Sequence, residues 1–303
     1  MLAKLFSLKN NLGVMGLNQR NLTLIYPNNN RKDYHLADDK VKTKTLLHQH
    51  NIACAATYAV ITQTRAIKAK WETCKPYDAL AIKPANGCGG GGIKILKKDV
   101  QGHWISSGKR ISEAEIFRHI TAIISGMFSM GSTDSCLIEE CIVAHPFFAE
   151  IYEDGVPDFR IITLHGKPLM SMLRMPTSQS DGKANLHQKG VGIGIDMEQG
   201  TLTQVYDGKR YLDHHPDNPE VVVGKKIPFW KEMCQLATDT ANIFPLDYMG
   251  IDIVLDAYKG PQIMEVNVRP GLGIQLVNRC GMQQVVKEQF PNYFNTLEDI
   301  IGI

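Results

Sequence analysis

Gly250-Ile-Asp-Ile-Val-Leu-Asp256 and Gln262-Ile-Met-Glu-Val-Asn-Val-Arg-Pro-Gly271 read as the two strands of one hairpin, broken at Lys259-Gly260-Pro261. Ile, Val, Leu and Met fill both halves, which is the composition of buried strands. Three oxygen-bearing side chains interrupt the apolar run: Asp252, Glu265 and Asn267. Alternation puts Glu265 and Asn267 on one face, where Asp252 can meet them from the neighbouring strand. Two carboxylates buried together are costly unless positive charge pairs with them. Two acids and an amide oxygen suit a hard cation, Mg²⁺ or Mn²⁺, with room for water and substrate phosphate. The other reading of these residues is a salt-bridged sheet in which Arg269 neutralises Glu265.

A second chemistry-bearing stretch is Ala79-Leu-Ala-Ile-Lys83, then Pro84-Ala-Asn, then Gly87-Cys-Gly-Gly-Gly-Gly92, then Ile93-Lys-Ile-Leu96. The glycines satisfy G-x-G-x-x-G, but a strand follows them instead of the helix a dinucleotide fingerprint requires. No Gly-Lys-Ser/Thr closes the cluster, so it is not a P-loop. What remains is a strand–glycine loop–strand hairpin. Glycine lets backbone N–H groups approach an anion closely, and Lys83 supplies a point charge. The pattern predicts a flap over nucleotide phosphates. An ordinary surface hairpin is the alternative.

Elsewhere the periodicity predicts a helix capped by Asp38 and running to about His50, and a strand over Ile52–Val60. A helix follows over Ser112–Ile124, with Glu115 completing a capping box. A buried strand lies over Ser135–Val143. Paired strands span Phe159–Leu164 and Pro168–Met175, and a polar loop covers 176–194. Helices are expected over Pro228–Asn242 and over about Met282–Ile300. Strands outnumber helices and the two are mixed, which predicts an α+β architecture.

Composition bounds the function. A net charge of +2, from 33 basic and 31 acidic residues, gives no electrostatic argument for nucleic acid or an anionic membrane. No apolar run approaches the roughly 18 residues of a transmembrane helix. Residues 1–10 are expected to form a short amphipathic helix capping the domain rather than a signal peptide. Seven scattered cysteines, without a C-x-x-C pair, argue against a disulfide framework or structural zinc and for a reducing, cytoplasmic setting.

Lys83 with its glycine flap, Leu137-Ile-Glu-Glu-Cys-Ile142, and Asp252 with Glu265-x-Asn267 occur in the order of the ATP-grasp superfamily, which this sequence resembles. The closer resemblance is to the ribosomal protein S6 glutamate ligase and its α-L-glutamate ligase relatives. It rests on Asp158-Phe-Arg160, Arg174, Asn185-Leu-His187, Met264-Glu-Val-Asn267 before Pro270-Gly271, and the Asp39-Lys40 helix start.

The resemblance implies an ATP-grasp fold of two α+β subdomains gripping ATP. Residues 38–143 would be the N-terminal subdomain, 144–303 the C-terminal one, and 1–37 an abbreviated leading segment. It implies ATP phosphate contacts from Lys40 and Lys83, and from the flap glycines Gly87, Gly89, Gly90, Gly91 and Gly92. Glu139, Glu140, Cys141 and Ile142 would form the hinge that pairs with adenine, and Asp252, Glu265 and Asn267 would hold Mg²⁺ or Mn²⁺. Arg174 is the expected phosphate clamp. Arg160 either binds a substrate carboxylate or pairs with Asp158. Asn185 assists phosphate or metal, and His187 contacts substrate or moves a proton. Glu150 and Glu153 both qualify as the ribose-binding acid.

The implied reaction joins a small-molecule carboxylate to an amine, an amino acid or peptide, through an acylphosphate. A small-molecule kinase and a regulatory module without turnover are the alternatives. Arg269 departs from the S6 ligase pattern, either selecting a different carboxylate or pairing with Glu265. The short leading segment leaves room for a homo-oligomer or a separate protein partner.

Overall fold

The computed structural model describes residues 13–87, 89–153 and 155–295. The helix expected over residues 1–10 therefore lies outside the described residues, as do Cys88 of the glycine cluster and the end of the last expected helix. The chain divides into two compact units. One is Asp38–Ile142, and the other joins the chain up to Ala37 with the chain from Val143 onward.

The Asp38–Ile142 unit is an antiparallel sheet of β1 (Thr57–Ile61), β2 (Ala79–Pro84), β3 (Lys94–Lys98), β4 (Trp104–Ser106), β5 (Lys109–Arg110) and β6 (Cys136–Glu140), in the order β1-β6-β2-β3-β4-β5. Leu80, Ile82, Leu96 and Ile138 turn to one face and bury against the helices Ile67–Cys74 and Glu113–Ile124. The second helix starts where Ser112 and Glu115 cap each other, and Ile116, Ile120 and Ile123 recur on its inner stripe. Trp71 fills the middle of this core, with Trp104 and Phe117 against its ring. Asp39 rather than Asp38 caps the helix Lys40–Gln49, accepting from the N–H groups of Val41 and Lys42. Strand β1 begins at Thr57 rather than Ile52, because the Ala55 carbonyl is given to the Lys44 ammonium at 2.5 Å.

The other unit is built on β7 (Asp158–Leu164), β8 (Lys167–Met175), β9 (Val191–Asp196), β10 (Thr201–Tyr206), β11 (Tyr211–Leu212), β14 (Tyr248–Asp256) and β15 (Gly260–Asn267). They form one antiparallel sheet in the order β11-β10-β9-β8-β7-β14-β15, and a small ribbon pairs β12 (His214–His215) with β13 (Asn218–Val221). The expected loop 176–194 ends earlier than its composition implies, since β9 begins at Val191. Alternating glycines hide that strand. A Cβ at Gly192 would lie 2.5 Å from Val277 of the helix Gly273–Asn278, and one at Gly194 2.5 Å from Thr203 and 2.7 Å from Gln204 of the adjacent β10, so both positions require bare backbone. Among the described residues no helix is long and apolar enough to cross a membrane, and the six described cysteines are free thiols.

Residues 13–37 are fastened to this second unit by polar clamps. Met15 exchanges two backbone hydrogen bonds with the Gln275 amide, at 2.8 and 3.0 Å. Asn29 does the same for Tyr248, donating to its carbonyl at 2.6 Å and accepting from its N–H at 3.0 Å. Both partners are buried, so losing the amide strands two backbone groups. Asn29→Ala is expected to lower stability by roughly 2–4 kcal/mol in urea unfolding. A loss under about 1 kcal/mol would mean that the clamp is not structural.

Candidate functional site

Each unit buries a carboxylate between two cations. In the Asp38–Ile142 unit the register pairs Ala81 with both Ile95 and Glu139. Lys83, two residues beyond Ala81, therefore shares the Glu139 face, opposite the apolar core. Glu139 is 5% exposed and Lys83 6%. The Lys83 ammonium contacts Glu139 Oε1, and Lys44 reaches Glu139 Oε2 at 2.7 Å from the adjacent helix. Burial works against the charged carboxylate, but Lys83 and Lys44 outweigh it and hold Glu139 below its ordinary range.

The glycine hairpin is tied down at both ends. Lys40 donates from its ammonium to Gly87 O at 2.8 Å, and His119 Nε2 meets Gly92 O at 2.9 Å. Burial lowers the His119 pKa, so the ring is neutral and donates to the carbonyl. Gly89, Gly90 and Gly92 have φ of 62°, 75° and 77°, a conformation open to glycine, and residues 89–91 are exposed. Upstream, Asp134 is buried and accepts from Asn86 N, Asn86 Nδ2 and Ser135 N, fixing the chain where it leaves β2. In the expected adenine hinge, Glu140 N–H is engaged by Ala56 O, Cys141 and Ile142 are half-buried, and Glu139 acts through its side chain.

In the second unit, Asp158 stands opposite Arg174 and Asp252 opposite Arg160. Cross-strand partners touch, whereas Asp158 and Arg160, two apart on one strand, do not. The alternative pairing of Arg160 with Asp158 is thus not formed. Arg160 grips Asp252 with Nε at 2.7 Å and Nη2 at 2.6 Å. Arg174 grips both oxygens of Asp158 and adds Nη2 to Asp252 Oδ2 at 2.8 Å. The quartet is neutral; Asp158, Asp252 and Arg174 are buried, the last two 1% and 7% exposed, and Arg160 is half-buried. Burial opposes the Asp252 charge, yet Arg160 and Arg174 hold its pKa down. Asp158 is pushed up, by burial and by the neighbouring Asp252. Both carboxylates raise the Arg174 pKa against the effect of burial.

Around this quartet sit the other expected residues. Asn185 Oδ1 accepts from Arg174 Nη1 at 2.9 Å, and His187 is exposed on the same short turn. Glu265 lies directly opposite Asp252 and Asn267 opposite Gly250, so all three face one way. Asn267 donates from Nδ2 to Asp252 Oδ2 at 3.1 Å. Arg269 does not settle on Glu265; its guanidinium lies 4.9 Å over the Tyr34 ring. Glu150 pairs with Lys225 at 2.8 Å, while Glu153 is exposed.

Among the described residues no group of three or more His, Cys, Asp and Glu side chains is placed to hold a metal. The Asp252, Glu265 and Asn267 set has two acids and an amide. It still fits a hard cation, because Asp252 Oδ1 accepts one hydrogen bond among the described residues and keeps a lone pair. Arg174 spends four of its five N–H donors on Asp158, Asp252 and Asn185. Arg160 keeps Nη1, which lies near Gly271. Lys44, His119 and Asp134 escaped the sequence reading. Lys44 had a signal, a lysine at i+4 from Lys40 on the same helix face.

Residues 19–289 match the sugar-transfer associated ATP-grasp family. The chain belongs to that ATP-grasp family. Its fold is shared with the D-alanine–D-alanine ligase of Bacillus anthracis, at a TM-score of 0.51 and 12% identity over 90% of this chain and 72% of that one. The biotin carboxylase of Campylobacter jejuni has the same TM-score and identity over 84% of this chain and 46% of its own. The D-alanyl-alanine synthetase A of Vibrio cholerae gives 0.51 and 12% over 87% and 66%. No curated protein matches. At these identities the likeness is one of fold.

This ATP-grasp chain makes a sharp stability prediction at Glu139. Glu139→Gln leaves two buried ammonium groups without their carboxylate and is expected to cost roughly 3–5 kcal/mol at neutral pH. The folded pKa of Glu139 lies below its ordinary 4.5, so the wild-type advantage is complete above about that pH and shrinks as pH falls further. Urea unfolding of both forms from pH 7 to pH 3 checks this; a difference that stays constant with pH contradicts the ion-pair account.

Proposed function

We propose that this ATP-grasp protein is an ATP-dependent carboxylate–amine ligase. The observation that carries the reading is the shared face of β14 and β15, where Asp252, Glu265 and Asn267 stand beside Arg160 and Arg174. Family membership supports the ATP requirement. A substrate carboxylate oxygen attacks the γ-phosphorus, ADP leaves and an acylphosphate forms. An amine then attacks the acyl carbon, phosphate leaves, and loss of a proton gives the amide.

The residues divide the work. Lys83, anchored by Glu139, and Lys40, beside the flap, supply charge for ATP phosphates. Backbone N–H groups of Gly89, Gly90, Gly91 and Gly92 suit the same anion, and closure of this loop would keep water from the acylphosphate. Ala81 and the exposed Ile95 share the Lys83 face and offer apolar surface for the base. Asp252, Glu265 and Asn267 would hold Mg²⁺ or Mn²⁺, which supplies charge neutralisation for the transferring phosphoryl group. Arg160, with Nη1 uncommitted, is better placed than Arg174 to meet a substrate carboxylate. Arg174, nearly saturated, is a positioning residue that orients Asp158, Asp252 and Asn185.

The finer reading follows the S6 glutamate ligase resemblance of Asp158-Phe-Arg160, Arg174 and Asn185-Leu-His187. It gives a glutamate or peptide carboxylate as substrate, and a cytosolic enzyme whose free thiols suit that compartment. The test is Mg²⁺-dependent ADP release with pools of amino acids, short peptides and sugar acids, and mass spectrometry of the products. A product one water lighter than its two precursors combined is expected. A mass gain of one phosphate would make the protein a kinase, and nucleotide binding without ADP release in any pool would make it a regulatory module. Glu265→Gln is expected to abolish Mg²⁺-dependent ADP release while keeping the wild-type unfolding midpoint; full activity in that variant contradicts the metal assignment.

A further inference from the structure

The second unit holds a cavity of about 540 Å³ that none of the ligase chemistry above uses, lined by Tyr26, Asn29, Asn30, Arg31, Tyr34 and Arg269. Its charge is unbalanced. Among the described residues neither Arg31 nor Arg269 forms an ion pair with a carboxylate, and both are exposed at the cavity. Arg269 is held in place by the Tyr34 ring beneath it, 4.9 Å from the guanidinium. Tyr34 is itself buried. A guanidinium stacked in this way has lost part of its freedom before any ligand arrives, which lowers the cost of binding.

A third arginine stands behind the cavity. Arg20 is 5% exposed and has no carboxylate partner among the described residues. Its bonds go to neutral oxygens: Nη1 to Pro270 O at 2.8 Å, and Nη2 and Nε to Asn21 Oδ1 at 2.8 and 3.1 Å. A buried guanidinium without a counter-charge is costly. Burial lowers its pKa; the Tyr248 and Tyr26 phenols oppose that effect and the positive charge of Arg269 adds to it. Arg20 bonds the carbonyl of Pro270, the residue next to Arg269, so the two cations are attached to neighbouring backbone.

The backbone supplies an independent sign. Between Arg20 and Tyr26 the helix widens into a π turn, Asn21–Ile25, closed by Tyr26 N–H to Asn21 O at 2.9 Å. Such turns are rare and concentrate at functional sites. Here the wide turn ends on the cavity-lining Tyr26. The Asn29 clamp on Tyr248 then fixes the next stretch, so that Asn30, Arg31 and Tyr34 are presented from a braced segment.

The geometry points to a binding site for a small oxyanionic ligand, carrying a carboxylate or a phosphate, that Arg31 and Arg269 grip while Arg20 adds positive potential from behind. Guanidinium forks match both oxyanions, and the exposed Tyr26 ring offers a flat face to the body of the ligand. The site deepens the ligase reading and rests on it in one respect only: as the seat of an anionic substrate. Binding itself requires no turnover.

Isothermal titration of the full chain with glucuronic acid, inorganic phosphate and neutral glucose tests the site. Glucuronate or phosphate is expected to bind, more weakly as salt rises, and glucose is not. Tighter glucuronate assigns a carboxylate ligand; tighter phosphate assigns a phosphorylated one. Arg31→Gln and Arg269→Gln, both at exposed positions, are each expected to weaken binding roughly tenfold or more without moving the unfolding midpoint. The proposal is overturned if glucose binds as well as glucuronate, if neither anion binds, or if both variants bind as wild type does. ATP titrated into the wild-type protein separates the two readings. Absent anion binding with ATP binding intact removes this site alone, whereas anion binding without ATP binding removes the ligase reading and leaves the site.

Discussion

The contact between Asp252 and its two arginines is the constraint on which the second unit's site depends. A carboxylate this deep is unstable as a charge unless cations meet it, and each cation is equally unstable without it. Arg160 answers from β7, Arg174 from β8, and Asp158 balances the second arginine. Three neighbouring strands are thereby locked in register, because a slip of one residue would turn all four charges to the wrong face. The same lock sets where Glu265, Asn267 and Asn185 stand, since each is fixed by strand pairing or by a hydrogen bond to the quartet.

The Asp38–Ile142 unit solves an equivalent problem with different cations. Glu139 on a central strand is bracketed by Lys83 from the next strand and Lys44 from a helix. Ammonium groups are compact and mobile where guanidinium forks are planar and fixed. The difference matches the chemistry proposed for each unit. Lysines that can shift between a carboxylate and a phosphate suit nucleotide binding, and a rigid arginine–aspartate lattice suits holding reacting groups in place.

Much of this was legible in the sequence, for physical reasons. Asp252, Glu265 and Asn267 stood out because polar residues inside an apolar strand pair must be explained, and strand alternation then placed them on one face. The glycine hairpin was legible because the residues after it alternate as a strand does. Less visible features depended on tertiary partners. Strand β9 is masked by Gly192, which admits a distant helix, and by Gly194, which admits side chains of the adjacent strand. The true partner of Arg160 follows from cross-strand register, which no local pattern encodes. Arg269 was flagged as unusual beside Glu265, but the ring that holds it, Tyr34, lies in a segment with no periodic signal of its own.

In the proposed reaction a substrate carboxylate takes the γ-phosphoryl group, and an amine then attacks the acyl carbon and releases inorganic phosphate. Isotope transfer tests that claim most directly. With a carboxylate substrate labelled by ¹⁸O in both oxygens, the account expects each turnover to move one label into the released inorganic phosphate. Unlabelled phosphate accompanying amide formation would contradict the acylphosphate route.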